Sequence, residues 1–474
     1  MLRNTDIVVI GSGPGGSITA NILSENGFEV VLVENGPKFP VDSCAPFSIE
    51  EMEQKYKNGG ITPTFGNPKI TYVEGNCVGG GSEINSGLYH RIPSDILEKW
   101  KEIYSINNLD EDALENHYTV IEKTLSITYS RKNDFLKASK KLVEGARKLG
   151  WKCIEVPRWY RYTDSNSSVK QSMTKTLIPE FEKNGGFLYA NTVVLQIVQE
   201  RKKWRIICKD LNTKRKTSVL CNYVFVCGGA IQTPFLLRKS GIKNNIGNTL
   251  QIHPTIKILA EFPEKINSVK MGVGVHQVKE FAPDYSFGCS VSTKPYLALT
   301  MLDYPQFMEE IDNHWEYMAN FYAMIVPRGT GTIRKFPIFK DPFVSYKLED
   351  WDMRLLSKAL KNLCKLLFHA GAKQLFPGIN GFEPLTKLDD INTIPPVLPR
   401  DKTNLMTIHL FSSCPMGENS RICATDSFGR VHGYRNLYIN DGSILPSAPG
   451  VNPQGAIMAI ARRNVFAFLS DYYD

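Results

Sequence analysis

The chain has 474 residues, more than one hydrophobic core usually serves, so two domains are expected. Its 42% hydrophobic and 22% charged residues are the balance of a folded globular protein and exclude a disordered chain. The net charge of +8 rests on scattered lysines, such as Lys140, Lys141, Lys202, Lys203, Lys214 and Lys216, with no aromatic-basic stripe beside them, which speaks against a nucleic-acid partner.

An apolar strand, Asp6 to Ile10, opens the chain. It is too short for a signal-peptide core and no small-residue cleavage site follows it, so a cytoplasmic location is expected. No stretch reaches the roughly 18 apolar residues of a spanning helix, and no integral membrane segment is expected. The strand runs into Gly11-Ser12-Gly13-Pro14-Gly15-Gly16, a helix-like run from Ser17 to Asn26, and a second strand, Val30 to Val33, that ends at Glu34. Each glycine has a mechanical reason. Gly11 permits the tight turn, Gly13 lets the backbone approach a pyrophosphate, and Gly16 allows close helix–strand packing. Pro14 and Gly15 complete the turn at the helix N-terminus, whose unpaired N–H groups and partial positive charge face phosphates. Glu34 sits where a carboxylate would hold both hydroxyls of an adenosine ribose and would repel the phosphate of NADP. The motif leaves FAD and NAD both open.

Residues 36 to 95 form a long irregular stretch rich in Gly, Pro and Asn, and a helix follows around Phe135 to Leu149 with Gly150 as its cap. Phe187 to Gln199 is a long apolar run, Arg201-Lys202-Lys203 a turn, and Trp204 to Cys208 a returning strand. Tyr223 to Cys227 is fully apolar and ends at Gly228-Gly229-Ala230, as a buried parallel strand feeding a turn does. Short strands alternate with aromatic-rich segments between about 265 and 350. Leu355, Leu356, Leu360, Leu363, Leu366 and Leu367 repeat at helical spacing and predict a core-facing stripe. A strand (Leu437 to Asn440), a loop and a helix from about Pro453 close the chain.

The pattern predicts an α/β fold: a Rossmann-type dinucleotide domain from residues 1–95, 186–264 and 400–474, and a second α+β domain of antiparallel sheet and helices from 96–185 and 265–399. The ten cysteines form no CxxC pair and no metal-ligand spacing, so reduced thiols and no metal are expected; Cys414 and Cys423 read as two ordinary thiols.

Four further segments resemble the glucose–methanol–choline (GMC) oxidoreductases. Gly75-Asn76-Cys77-Val78-Gly79-Gly80-Gly81-Ser82-Glu83-Ile84-Asn85 is similar to the family's first signature, with Pro93 placed one residue late. Gly229-Ala230-Ile231-Gln232-Thr233-Pro234-Phe235-Leu236-Leu237, ending Ser240-Gly241-Ile242, resembles the second, with Lys243 where a glycine is usual. Leu250-Gln251-Ile252-His253-Pro254 is similar to the short segment that follows. His409-Leu410-Phe411-Ser412-Ser413-Cys414-Pro415-Met416-Gly417 resembles the active-site histidine segment, with Ser412 and Ser413 replacing the common Gly-Thr. Asn440-Asp441-Gly442-Ser443 and Gly450-Val451-Asn452-Pro453 complete it.

The resemblance implies FAD, with Gly80, Gly81, Ser82 and Asn85 against the flavin and Val194, Gly228, Ala230, Asp441, Gly442, Asn452 and Pro453 among its contacts. Some members attach FAD through a histidine in the first-signature loop; here that neighbourhood offers Ile84, so noncovalent FAD is expected. The implied reaction is oxidation of an alcohol CH–OH group. His409 would take the hydroxyl proton and Asn452 would steady the oxygen, with hydride passing to flavin N5. Sugars or polyols lead as substrates, with lipid-like or aromatic alcohols and a non-redox FAD lyase as alternatives. Oxygen, a quinone or a cytochrome could each serve as electron acceptor. His253, His432 and His90 read as structural. Met301 to Tyr322, dense in aromatics and acids, reads as an amphipathic surface helix or as a pocket wall.

Overall fold

The computed structural model describes residues 2–130, 136–162, 168–268, 272, 274–337 and 339–474. Ten elements build the part that carries the glycine turn: β1 (Leu2–Ile10), α1 (Pro14–Glu25), β2 (Val30–Val33), β3 (Phe187–Tyr189), β4 (Thr192–Glu200), β5 (Lys203–Asp210), β6 (Lys216–Val226), α2 (Gly229–Lys239), β7 (Leu437–Ile439) and α3 (Gln454–Tyr473). The sheet order is β4-β5-β6-β1-β2-β3, with β7 also on β6. The pairs β3–β2, β2–β1, β1–β6 and β6–β7 are parallel, whereas β4–β5–β6 is an antiparallel meander.

Strand β6 is long enough to serve both arrangements. Its first half, Lys216–Cys221, takes β5, and its end, Val224–Val226, takes β7. Ile7 to Ile10, Val30 to Val33 and Val224 to Val226 are buried, the unbroken apolar runs that a sheet covered on both faces requires.

The expected run from Phe187 to Gln199 divides into β3 and β4, because Asn191 takes a left-handed conformation (φ 50°) between them. The break has a use. Glu34 N–H donates to the Tyr189 carbonyl (2.9 Å), Asn191 N–H to Gly36 (3.0 Å) and Thr192 N–H to Glu34 (2.8 Å), so the chain grips the turn that carries Glu34.

A nine-stranded sheet forms the second layer. Its order is Thr62–Pro63, Ile70–Tyr72, Leu405–Thr407, Thr255–Glu261, Met318–Ile325, Tyr285–Cys289, His276–Val278 and Cys153–Glu155, with Gln374–Pro377 also paired to Thr255–Glu261. Among the described residues every pairing in it is antiparallel except Ile70–Tyr72 with Leu405–Thr407. Three expectations about sequence position shift here. The strands at 62–72, 255–261 and 405–407, drawn from stretches assigned to the dinucleotide part, are hydrogen-bonded into this sheet instead.

Helices Asp350–His369 and Lys137–Leu149 pack together against the sheet. All six leucines of the predicted stripe are buried, as is the apolar face of Lys137–Leu149, which Gly150 ends in a left-handed cap. Phe135, where that helix was expected to begin, lies outside the described residues. Residues 36–95 are less irregular than their composition suggests, holding helices Ile49–Lys55 and Gly81–Ile84. Between Met301 and Tyr322 the chain forms a short helix, Met308–His314, and the start of strand Met318–Ile325. Glu309 and Asp312 are exposed, and Tyr304 is buried in a small separate cluster.

Candidate active site

A cleft of about 500 Å³ begins where β1 and β2 end and continues to His409 and Asn452. Of the residues singled out in the sequence, Gly11, Gly13, Pro14, Gly15, Glu34, Gly80, Gly81, Asn85, Val194, Gly228, Ala230, Asp441, Gly442, Asn452 and Pro453 line it. Gly16 and Ser82 do not. A Cβ at Gly16 would run into the Gly11 carbonyl oxygen, so this glycine serves packing of α1 on the strands. Ser82 is buried. Its hydroxyl donates to the Gly79 carbonyl (2.8 Å) and accepts from Met173 N–H (3.1 Å), which pins the loop before Asn85.

At the nucleotide end, α1 starts at Pro14 with no side chain capping its first turn. Its free N–H groups are therefore left to the cleft. A Cβ at Gly13 would meet no atom within 4 Å, whereas one at Gly11, where φ is +101°, would strike the Cys227 carbonyl. Glu34 is buried, and its carboxylate takes Ser12 N–H (2.9 Å), Ser12 O–H (2.7 Å) and Gly36 N–H (2.8 Å). Burial raises its pKa above the ordinary carboxylate value, against the lowering by these bonds. An open glycine at an uncapped helix start, with a held acid one strand away, fits the phosphates and ribose of a dinucleotide. The pairing of β4 with β5 skips Leu195, and this bulge lies beside Thr192, Val193 and Val194 on the cleft wall.

Farther along, Asn85 is fixed at both ends of its side chain: Nδ2 donates to Gln454 Oε1 (2.7 Å), and Oδ1 accepts Gly87 N–H (3.1 Å). Lys170 Nζ holds the Glu83 and Asn85 carbonyls (2.7 and 2.9 Å). Asp441 is buried and accepts from Gly229 N–H (2.8 Å), Ser443 N–H (2.7 Å) and the Thr233 hydroxyl (2.5 Å), so its carboxylate anchors the start of α2 from within the cleft.

At the far end His409 Nε2 lies 3.2 Å from Asn452 Nδ2, and His409 Nδ1 lies 3.0 Å from His253 Nδ1. His253 Nε2 accepts the Gly450 backbone N–H (3.1 Å), and Gln277 Nε2 lies 3.1 Å from both Asn452 Oδ1 and the Tyr322 hydroxyl. Burial pushes the His409 pKa down to about 4, with the Lys279 charge adding to the effect. It pushes His253 well below its ordinary value and His90 down to about 3. All three rings are therefore neutral at neutral pH.

A backbone amide cannot turn round. Gly450 thus makes His253 Nε2 an acceptor, so a neutral His253 carries its proton on Nδ1 and gives it to His409 Nδ1. A neutral His409 then carries its own proton on Nε2. Asn452 meets that N–H with its carbonyl oxygen after a half-turn of its amide, and Gln277 follows with the same half-turn; every contact in the run is kept.

His253 and His90 were read from the sequence as structural, yet His253 orients His409 directly. His90 is buried beside Gln277, and the Lys279 charge adds to the lowering of its pKa by burial. His432, in contrast, packs with Nε2 on the Gly417 carbonyl (3.0 Å). Gln277, Gln454 and Lys279 carry no local signal in the sequence. Among the described residues no cluster of His, Cys, Asp or Glu could hold a metal ion, no helix is long and apolar enough to cross a membrane, and Cys414 and Cys423 are both free thiols.

The N-terminal model of the GMC oxidoreductases matches residues 52–255 and the C-terminal model residues 331–461, while an FAD-binding-domain model matches 4–62. An uncharacterized GMC-type oxidoreductase of Sinorhizobium fredii is 38% identical over 98% of this chain and 94% of its own length. A long-chain-alcohol oxidase of Arabidopsis thaliana is 25% identical over 96% of this chain and 66% of its own. The crystal structure of pyridoxine 4-oxidase from Mesorbium loti superimposes with a TM-score of 0.77 at 16% identity, covering 98% of this chain and 99% of that one. With a dinucleotide cradle at one end of the cleft and a histidine–asparagine pair at the other, the chain belongs to the GMC oxidoreductases and is an FAD-dependent oxidoreductase.

Proposed function

We propose that this enzyme oxidises the CH–OH group of an alcohol, holding the substrate oxygen between His409 and Asn452. One observation carries the reading: a single cleft joins the glycine turn and Glu34 to that pair. FAD held along the cleft by Gly11–Gly15, Glu34, Gly80, Gly81 and the start of α2 would supply the hydride acceptor. We take it to be noncovalent, because the loop from Gly75 to Asn85 contains no histidine.

We keep the proton-accepting role expected from sequence for His409; the tautomer reached through Gly450 and His253 supports a donating role as the second reading. We place the substrate oxygen, where negative charge develops, between His409 Nε2 and the Asn452 amide, 3.2 Å apart. Donors already oriented before the reaction stabilise such charge more than water does.

For the substrate, the names of the related enzymes favour a lipid-like alcohol over the sugars and polyols that led from sequence; long-chain-alcohol oxidases and a cholesterol oxidase of Acinetobacter baumannii are among them. We assign residues 96–185 and 265–399, with the three strands at 62–72, 255–261 and 405–407, to the cover over the substrate. Ten free thiols suit a reducing compartment such as the cytoplasm.

The test is anaerobic bleaching of the purified flavoprotein with matched panels of long-chain, sterol, aromatic and sugar alcohols. Bleaching by one class confirms the reaction and names the class. Readmitted air separates fast reoxidation, as in an oxidase, from slow reoxidation, as in a dehydrogenase using a quinone or cytochrome. A yellow protein that no alcohol bleaches would favour non-redox chemistry, such as a lyase reaction.

A further inference from the structure

A short stretch, residues 170–174, leaves the strand Ser168–Lys170 and bonds the loop of residues 79–85 at several points. Lys170 Nζ donates to the Glu83 and Asn85 carbonyls (2.7 and 2.9 Å), and Met173 N–H donates to Ser82 Oγ (3.1 Å). Thr174 gives both its N–H (3.2 Å) and its hydroxyl (3.0 Å) to the Glu83 carboxylate. The stretch is tied in turn to the cleft wall, with Gln171 N–H on the Trp159 carbonyl (2.9 Å) and Trp159 N–H on the Gly87 carbonyl (3.0 Å).

Within this clasp Lys170 governs one peptide bond in particular. The amide joining Asn85 to Ser86 is planar and trans, so its N–H points opposite to its C=O. With the carbonyl oxygen on the ammonium, the Ser86 N–H is turned away from Lys170. Among the described residues that N–H makes no hydrogen bond. Its neighbours differ: Asn85 N–H is taken by the Gly81 carbonyl (3.2 Å) and Gly87 N–H by Asn85 Oδ1 (3.1 Å). Asn85, Ser86 and Gly87 all line the cleft, and Lys170 does not.

We infer that Lys170 is a positioning residue, whose ammonium fixes the Asn85–Ser86 peptide so that the Ser86 N–H is presented to the flavin as a free donor. The assignment rests on FAD lying along the cleft, as in the reading above. Hydrogen bonds in a chain polarise one another, so a cation on the Asn85 oxygen leaves the Ser86 N–H a stronger donor. Such a donor favours the electron-rich reduced flavin over the oxidised one and raises its potential. Loss of hydration lowers the Lys170 pKa to about 8, opposed by the nearby Glu83 and Glu51 charges, so most molecules carry the charge at pH 7.

The experiment has two parts. Hydrogen exchange of the wild type, with and without FAD, is followed at single-amide resolution over residues 11–17 and 85–87. FAD should slow exchange at the glycine turn and at Ser86. Slowing at the turn with none at Ser86 would overturn this assignment alone, whereas slowing at neither would overturn the placement of FAD in the cleft. The second part is the flavin midpoint potential of the holoenzyme at pH 7. In Lys170→Met it should fall by about tenfold in the two-electron equilibrium, about 30 mV. Thr174→Val loosens the same loop at the Glu83 side chain without touching the Asn85–Ser86 peptide, and should keep the wild-type potential. Equal falls in the two variants would show a general loosening of the loop and overturn the assignment, as would a Lys170→Met enzyme with the wild-type potential. Should Lys170→Met not fold, the exchange at Ser86 still decides.

Discussion

His253 and His409 stand 156 positions apart, yet antiparallel pairing of Gln251–Ile252 with Leu410–Phe411 sets them opposite each other. The sequence could mark His409 by its Ser/Cys/Met surroundings. It could not mark His253 as its partner, because the register of two such short strands is set by the packing around them. If His409 donates through Nε2, His409→Ala should slow flavin bleaching by about a hundred- to a thousandfold with flavin content unchanged. His409→Gln keeps an N–H near the same place and should lose clearly less. Equal losses in the two variants would remove the donor role. The same ring also makes a pH-dependent contribution to stability. Its folded pKa is about 4, below the ordinary value of 6.5, so the unfolded chain binds a proton first as pH falls. Above pH 6.5 its contribution is fully present, and it is lost between 6.5 and about 4. Relative to His409→Gln, the wild type should therefore give up roughly 3 kcal/mol over that window in denaturant titrations.

Among the elements, the strand–glycine turn–helix–strand opening and the strand Tyr223–Val226 were legible because their apolar runs and turns are local. The division of Phe187–Gln199 was not, since a single asparagine makes it and its purpose, gripping the Glu34 turn, comes from residues at least 155 positions away in the chain. Gly13 and Gly16 of the opening motif separate binding from folding. Gly13→Ala adds a methyl group that meets no protein atom, so the flavin-free protein should melt at the wild-type temperature while retaining less FAD after gel filtration. Gly16→Ala pushes a methyl group onto the Gly11 carbonyl and must displace α1, which costs about 1 to 3 kcal/mol of overpacking or more. Its flavin-free form should melt below wild type. Equal melting of both variants would mean that α1 sits farther from β1 than described.

Over the whole molecule, the second sheet gathers strands from residue 62 to residue 407, and no composition or spacing announces pairing over such distances. The family resemblance implied the cofactor and the reaction but not which strands build this sheet. The cleft is similarly dispersed. Its walls are the turn after β1, the loop around Gly80, the start of β4, the N-terminus of α2 and the loop after β7. A ligand lying along all of them ties together segments that otherwise meet across solvent, and it binds only when the fold has assembled them. Binding to the native state alone stabilises it by about 2.7 kcal/mol at a hundredfold excess over Kd. Protein stripped of flavin should therefore melt several degrees lower, and its Tm should climb with the logarithm of added FAD. ADP reaches only the Glu34 half of the cleft and should raise Tm by less. Glu34→Gln keeps the shape of the side chain but removes its charge, so it should shrink the shift from both ligands while leaving the His409 end intact. A Tm that FAD does not move, in protein shown to be stripped and folded, would mean that the cleft is not where the cofactor binds.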